Sequence, residues 1–425
     1  MIARRESPPR FPWRPCLLVF AVALVVRVFF LTLIPEDALQ PSGDWELDAI
    51  AMSVVETGQF ANPYIEPTGP TAHLAPVPPF MLALIYKIFG ITLLGGLVGW
   101  LTRMIFQSAI WGLLPWIGER LGIGWKAGLT AGLAGALWPQ WLAHGEALAS
   151  VLLGLLVVAI VSRWDTVGRQ SADRRSPAPR PTSSLLLGAA FGFSFHVQPV
   201  FLVVLLGYLG FEVWYRSDRA RWGSAGLVLL GALVVSIPWG IRNYRAFDAV
   251  LFVRSNFGLE LRMGNHEGAT ANIDDPHFND WPPHPRTHAS ETRKIRDLGE
   301  VAYMRQSGRE AVAWIRSSPG DFARLTAQRV RYFWLGALDD PVMALAFVTL
   351  AGLAALGVVR VLRGLPAPHA AALLIPLLTY PLVYYLVPWQ HRYRFPIEWI
   401  LFLLAGAALY WGSSGRLRGR PGGTQ

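Results

Sequence analysis

Long uncharged apolar runs recur along most of this chain, separated by short arginine-rich linkers. A soluble core cannot bury that many, so the pattern points to an all-α integral membrane protein. Composition agrees. Of 425 residues 53% are hydrophobic and only 16% are charged, against roughly 25% in soluble domains. The formal net charge of +10 sits in clusters between apolar runs. It therefore reads as membrane orientation, with the bilayer rather than nucleic acid as partner. The single cysteine, Cys16, excludes an internal disulfide and a Cys-based metal site.

A spanning helix needs roughly 20 apolar residues. Ten runs qualify: 15–34, 97–118, 126–143, 146–164, 184–198, 199–214, 223–241, 340–361, 369–388 and 395–412. The first follows Arg4, Arg5, Arg10 and Arg14 and is long for a cleaved leader, so it reads as a retained anchor with residues 1–14 in the cytoplasm. Arg-rich linkers at 119–126, 163–180, 216–221, 360–363 and 416–420 belong on the cytoplasmic side. That alternation works only if 35–96 begins and ends on the outer side. The short apolar run Pro79–Gly90 then lies along the surface as an interfacial helix. The organisation expected is a first outer loop at 35–96, spans two to seven over 97–241, a long and partly helical outer loop at 242–338, spans eight to ten over 339–412, and a cytoplasmic tail at 413–425.

Between Pro35 and Phe80 there is no Lys or Arg, but there are seven acids: Glu36, Asp37, Asp44, Glu46, Asp48, Glu56 and Glu66. Asp44 and Asp48 are four apart, which places both on one helix face if the helix includes both. One could act as general base, while the other orients the substrate or helps to hold a divalent cation. Asp44 could equally be an N-cap. Charges near or within apolar runs are functional candidates by default: Arg27, Arg103, Glu146, Arg242, Arg392 and Arg394. Arg27, Arg103 and Arg242 could instead snorkel to the outer interface. Arginines gathered on that side suit a lipid phosphate or pyrophosphate, and Glu146 could pair with one of them or bind metal.

Gly43-Asp44-Trp45-Glu46-Leu47-Asp48 with Ala51, Gly58 and Phe60 resembles the first outer loop of GT-C class glycosyltransferases, in particular glycosyltransferase family 39 and related bacterial cell-envelope enzymes. Three further blocks follow in the same order as in that class. They are Pro70-Thr71-Ala72-His73 with Pro76 and Pro79; Pro238-Trp239 with Arg242-Asn243-Tyr244, Ser255-Asn256-Phe257-Gly258 and Gly264-Asn265; and Arg392-Tyr393-Arg394-Phe395-Pro396. The resemblance implies a GT-C bundle in the bacterial cytoplasmic membrane with its site on the outer face. It implies Asp44 as the base, with Asp48 beside it, and His73, Glu146, Arg242, Asn243, Asn265, Arg392 and Arg394 as substrate-binding residues. The donor implied is a sugar on polyprenyl phosphate, and the acceptor a glycolipid, polysaccharide or protein. For some members a Mg or Mn ion is implied, which Asp44 and Asp48 would hold. Leu74 and Gln198 stand where the family often has basic residues, so Arg242, Arg392 and Arg394 would have to bind the donor phosphate. Two other functions fit a chain of this kind: a flippase for lipid-linked saccharide, and an O-antigen-ligase-like transferase using the 277–288 region.

Overall fold

The computed structural model describes residues 11–138, 146–171, 179–275, 284–336 and 341–410. Among them there is no β-strand, only isolated bridges at Ala61–Pro70 and Asn272–Trp389. The helices in chain order are α1 Trp13–Leu31, α2 Glu36–Leu39, α3 Glu46–Thr57, α4 Val77–Phe89, α5 Leu93–Leu121, α6 Trp125–Ala136, α7 Glu146–Ser171, α8 Pro181–Phe195 and α9 Phe201–Tyr215. They continue with α10 Ala220–Phe247, α11 Phe257–Gly264, α12 Ala289–Leu298, α13 Glu300–Ser317, α14 Pro319–Leu335, α15 Pro341–Gly364, α16 Ala367–Thr379 and α17 Phe395–Tyr410. The expected N-terminal arginines 4, 5 and 10, the end of the third expected span, the 172–178 linker, much of the 277–288 region and the tail lie outside the described residues.

Six helices are long and apolar enough to cross a bilayer: α1, α5, α7, α10, α15 and the stretch His391–Tyr410. The protein is a helical, multi-pass membrane protein of this kind. The other four expected spans hold helices of only 12 to 15 residues, α6, α8, α9 and α16. At 1.5 Å per residue these reach about 18 to 22 Å, short of the roughly 30 Å hydrocarbon core. Local causes are visible. Arg27 of α1 is buried and donates to the Ala136 carbonyl at the end of α6. Pro376 and Pro381 remove two amide donors, and the chain after α16 continues as a 3₁₀ turn, Tyr380–Val383.

Packing sorts the bundle by helix. In α1 the buried positions Cys16, Val19, Ala23, Arg27 and Leu31 form one stripe at helical spacing, while Leu17, Val25 and Phe29 are exposed. That suits a helix touching protein on one side and lipid on the other. The last helix, α17, is the reverse: 83% of its spanning window is buried. It forms a central post against α5, α6, α7 and α15. Glycines let these helices approach closely. A Cβ at Gly188 of α8 would lie 2.0 Å from the Val228 carbonyl oxygen of α10, and one at Gly357 of α15 would lie 2.0 Å from that of Leu404 in α17.

Arg163, expected in a cytoplasmic linker, is instead inside the bundle. Its guanidinium meets both carboxylate oxygens of Glu212 at 2.9 Å and donates to Tyr208 at 3.0 Å. Ser184 and Ser224 complete its shell, and Arg216 joins Glu212 at 3.3 Å. This network ties α7 to the short pair α8 and α9 and to α10. Helices α11 to α14 form a polar layer that meets the bundle through Phe333 of α14. A small core of Tyr64, Leu259, Met263, Ile295, Tyr303 and Met304 joins it to the first outer loop.

Candidate active site

Helix α3 begins at Glu46, with Trp45 in extended conformation before it. Asp44 therefore precedes the helix, and the expectation that Asp44 and Asp48 share a helix face is corrected. Its physical reason is the role of Asp48. That carboxylate folds back to accept the amides of Ser42 and Gly43 at 2.9 and 2.7 Å, and it also accepts the Tyr86 hydroxyl of α4. Gly43 turns with φ +72°, a left-handed conformation that glycine adopts without strain. Asp48 thus clasps the loop that presents Asp44. Asp44 itself is exposed. Among the described residues no group of three or more His, Cys, Asp or Glu could hold a metal ion. With Asp48 engaged by three donors, the Asp44/Asp48 pair does not fit a resident cation, and no step below uses one.

The expected cations divide sharply. Arg242 donates to the carbonyls of Thr71 at 2.6 Å and Phe60 at 2.7 Å, enclosed by the rings of Phe60, Trp239 and Phe247. Asn243 is fully buried and donates to Leu251. Asn265 joins Leu261 and Leu386, and buried Arg329 binds the Asn265 side chain and the Leu386 carbonyl. Arg394 is held by Glu398 at 2.7 Å and by the carbonyls of Phe333 and Trp334 at 3.2 Å. These four expected ligand-binders have their polar groups committed to holding segments together. Arg392 differs. Its Nε donates to Gln390 Oε1 at 2.5 Å and lies 3.8 Å from Glu146, and 36% of its side chain is exposed. One Glu146 oxygen, Oε2, is buried without a hydrogen-bond partner among the described residues.

Three further elements surround this pair. From α3, Glu46 lies 3.7 Å from Arg286, whose guanidinium stacks over Trp45 at 4.2 Å. Burial pushes the Glu46 carboxyl up, against the pull of Arg286, and Glu260 of α11 and Arg392 also act on it. His73 is buried, with Nδ1 3.0 Å from the Tyr64 hydroxyl. Burial, then the positive neighbour Arg254, holds its imidazole well below its ordinary range. Arg254 donates to the His73 carbonyl at 2.8 Å. Glu300 is the pin beneath. It accepts Thr71 Oγ1 at 2.5 Å, the Ala72 amide at 2.8 Å and Ser255 Oγ at 2.6 Å. The Pro-rich turn and the segment after α10 are thereby locked together.

These contacts gather residues from 45–73, 254–260, 284–286 and 391–393, distant in sequence, into one polar chamber. Beside it lies a small apolar pocket lined by Leu47, Pro78, Met81, Phe106 and Leu148, with Arg103 in its wall. Asp48 and Glu146 both act on Arg103. Sequence reasoning missed Arg254, Glu260, Arg286, Glu300 and Arg329. Arg254 and Glu260 flank the Ser255–Gly258 block and could have been suspected there; the others carry no local signal. No family model, curated protein or solved structure matches this chain.

Proposed function

We propose that this protein is a membrane glycosyltransferase of GT-C type. It transfers a sugar from polyprenyl phosphate to a glycolipid, polysaccharide or protein acceptor on the outer face of a bacterial cytoplasmic membrane. The observation that carries the reading is the meeting of Arg392 with the half-partnered Glu146 carboxylate, beside a small apolar pocket and next to the loop that exposes Asp44. A lipid-linked sugar needs those surroundings: an apolar seat for the chain, a cation for the phosphate and carboxylates for hydroxyls.

In this mechanism Asp44 takes the proton of the acceptor hydroxyl as its oxygen bonds to the anomeric carbon. The bond from that carbon to the phosphate oxygen breaks, and the lipid phosphate leaves with the electron pair. Attack from the opposite face inverts the anomeric centre. Arg392, with Arg254 close to His73, offsets the charge developing on the phosphate. Glu146 and Glu46 accept sugar hydroxyls.

The test is Asp44→Asn in purified, reconstituted protein, assayed for transfer from polyprenyl-phosphate sugars. Loss of a general base lowers turnover by about 10²- to 10⁴-fold, with thermal stability unchanged because the exposed side chain supports no packing. Turnover equal to that of the parent would sink the assignment.

A further inference from the structure

The polar layer carries a charge pattern that the chamber does not use. Residues 284–336 hold ten Arg or Lys against five Asp or Glu. Several of these cations are spoken for. Arg286 meets Glu46, Arg293 and Arg296 meet Glu66, Lys294 meets Glu291, Arg324 meets Asp321, and Arg329 is buried. Arg305, Arg309 and Arg316 of α13 are exposed, with no acidic partner among the described residues.

Their spacing is the informative point. At 3.6 residues per turn, positions 305, 309 and 316 fall within about 40° of one another, and 11 residues span about 16 Å. They form a single ridge of guanidinium groups. The opposite side of α13 holds its buried residues: Glu300, Tyr303, Met304, Ser307 and Ala311. That side rests on α11 so closely that a Cβ at Gly258 would lie 2.0 Å from the Met304 carbonyl oxygen. The ridge therefore faces away from α11, the helix that carries Glu260. Lone solvated arginines need no such alignment, and a single phosphate would not need three guanidinium groups over 16 Å. A linear chain with repeated negative charges meets all three at once, through bidentate contacts suited to phosphate, sulfate or carboxylate.

We propose that the α13 ridge of Arg305, Arg309 and Arg316 docks an anionic saccharide chain belonging to the acceptor. The inference rests on the glycosyltransferase reading above and extends it by naming an acceptor class. The ridge engages the chain away from the chamber, leaving the sugar that receives the transfer free to reach Asp44.

The experiment uses the full-length protein in nanodiscs of neutral phosphatidylcholine, with dextran sulfate as probe and uncharged dextran as control. Binding is measured at 50 mM and 300 mM salt for the parent and for the triple variant Arg305→Gln, Arg309→Gln, Arg316→Gln. A second triple variant, Lys126→Gln, Arg219→Gln, Arg363→Gln, removes equal charge elsewhere. The expected result is salt-sensitive binding of dextran sulfate by the parent and by the second triple variant, weakened at least tenfold in the ridge variant, and no binding of dextran. Equal affinity of parent and ridge variant would overturn the proposal, as would absence of parent binding at 50 mM salt. If the ridge variant loses only stabilisation by phosphatidylglycerol, with dextran sulfate affinity unchanged, the ridge serves lipid headgroups and the proposal fails. Binding requires no turnover, so the Asp44→Asn variant retains it. Failure of the docking idea and failure of the catalytic reading are thus separable.

Discussion

At the scale of single residues, the arginines show that charge type says little about role until partners are known. Arg242 and Arg392 both lie near an end of an apolar segment, and their sequence surroundings gave no reason to rank one above the other. Arg242 is spent on two backbone carbonyls and three rings, whereas Arg392 keeps an exposed flank beside Glu146. Arg392→Gln should therefore lower transfer by 10-fold or more with little change in melting temperature. Arg242→Gln leaves buried carbonyls unsatisfied and should cost about 1–3 kcal/mol of stability. Parallel activity and thermal-unfolding measurements separate the two. Buried His73 and half-buried His284 make a pH prediction. His73 is held well below its ordinary 6.5, and His284 is pushed down to about 3. A depressed histidine stabilises the fold above its unfolded pKa and loses that contribution as pH falls. Below about pH 6.5 His73 should cost about 1.4 kcal/mol per pH unit, with His284 adding in the same direction down to about pH 3. Unfolding temperatures taken from pH 7.5 to 5 should fall, and His73→Asn should flatten the slope.

Elements were the most legible level. Among the described residues each of the ten apolar runs holds a helix, because hydrophobic length is a local property. Pro79–Gly90 also formed a single helix, α4, whose 13 residues are too few to cross. What local reading could not give was where a helix stops. The ends of α6 and α16 are set by a distant arginine and by two prolines. The loop that separates Asp44 from Asp48 is held by Asp48's bonds to the Ser42 and Gly43 amides and to Tyr86, 38 residues away. Glu300 and Arg329 were invisible for the same reason, since their partners lie 45 to 229 residues distant. Close helix contacts give a test at this scale. Gly188→Val places side-chain atoms where α10 backbone already stands. It should destabilise the α8/α10 pair by several kcal/mol, as overpacking does at its upper range, seen as reduced yield and melting temperature in detergent.

At the scale of the whole molecule, the Arg163–Glu212–Arg216 network joins four helices where lipid cannot supply a counter-charge. Removing one member should be worse than removing the charges together. Glu212→Gln leaves buried Arg163 without a counter-charge, while Arg216 keeps Asp218 at 2.9 Å, and should cost about 3–5 kcal/mol. Replacing Arg163, Glu212 and Arg216 with Met, Leu and Met should recover part of that loss. Thermal unfolding of the three proteins in one detergent decides it, and a triple variant no more stable than Glu212→Gln would refute the account.

The burial of α17 bears on biogenesis. Its neighbours α5, α6, α7 and α15 leave the ribosome first, yet each offers a face to a helix that follows them in the chain. Until α17 arrives, those faces enclose no partner, and Arg392 and Arg394 have not been made. The bundle therefore cannot close helix by helix as it is synthesised. The last helix thus completes the site together with the fold.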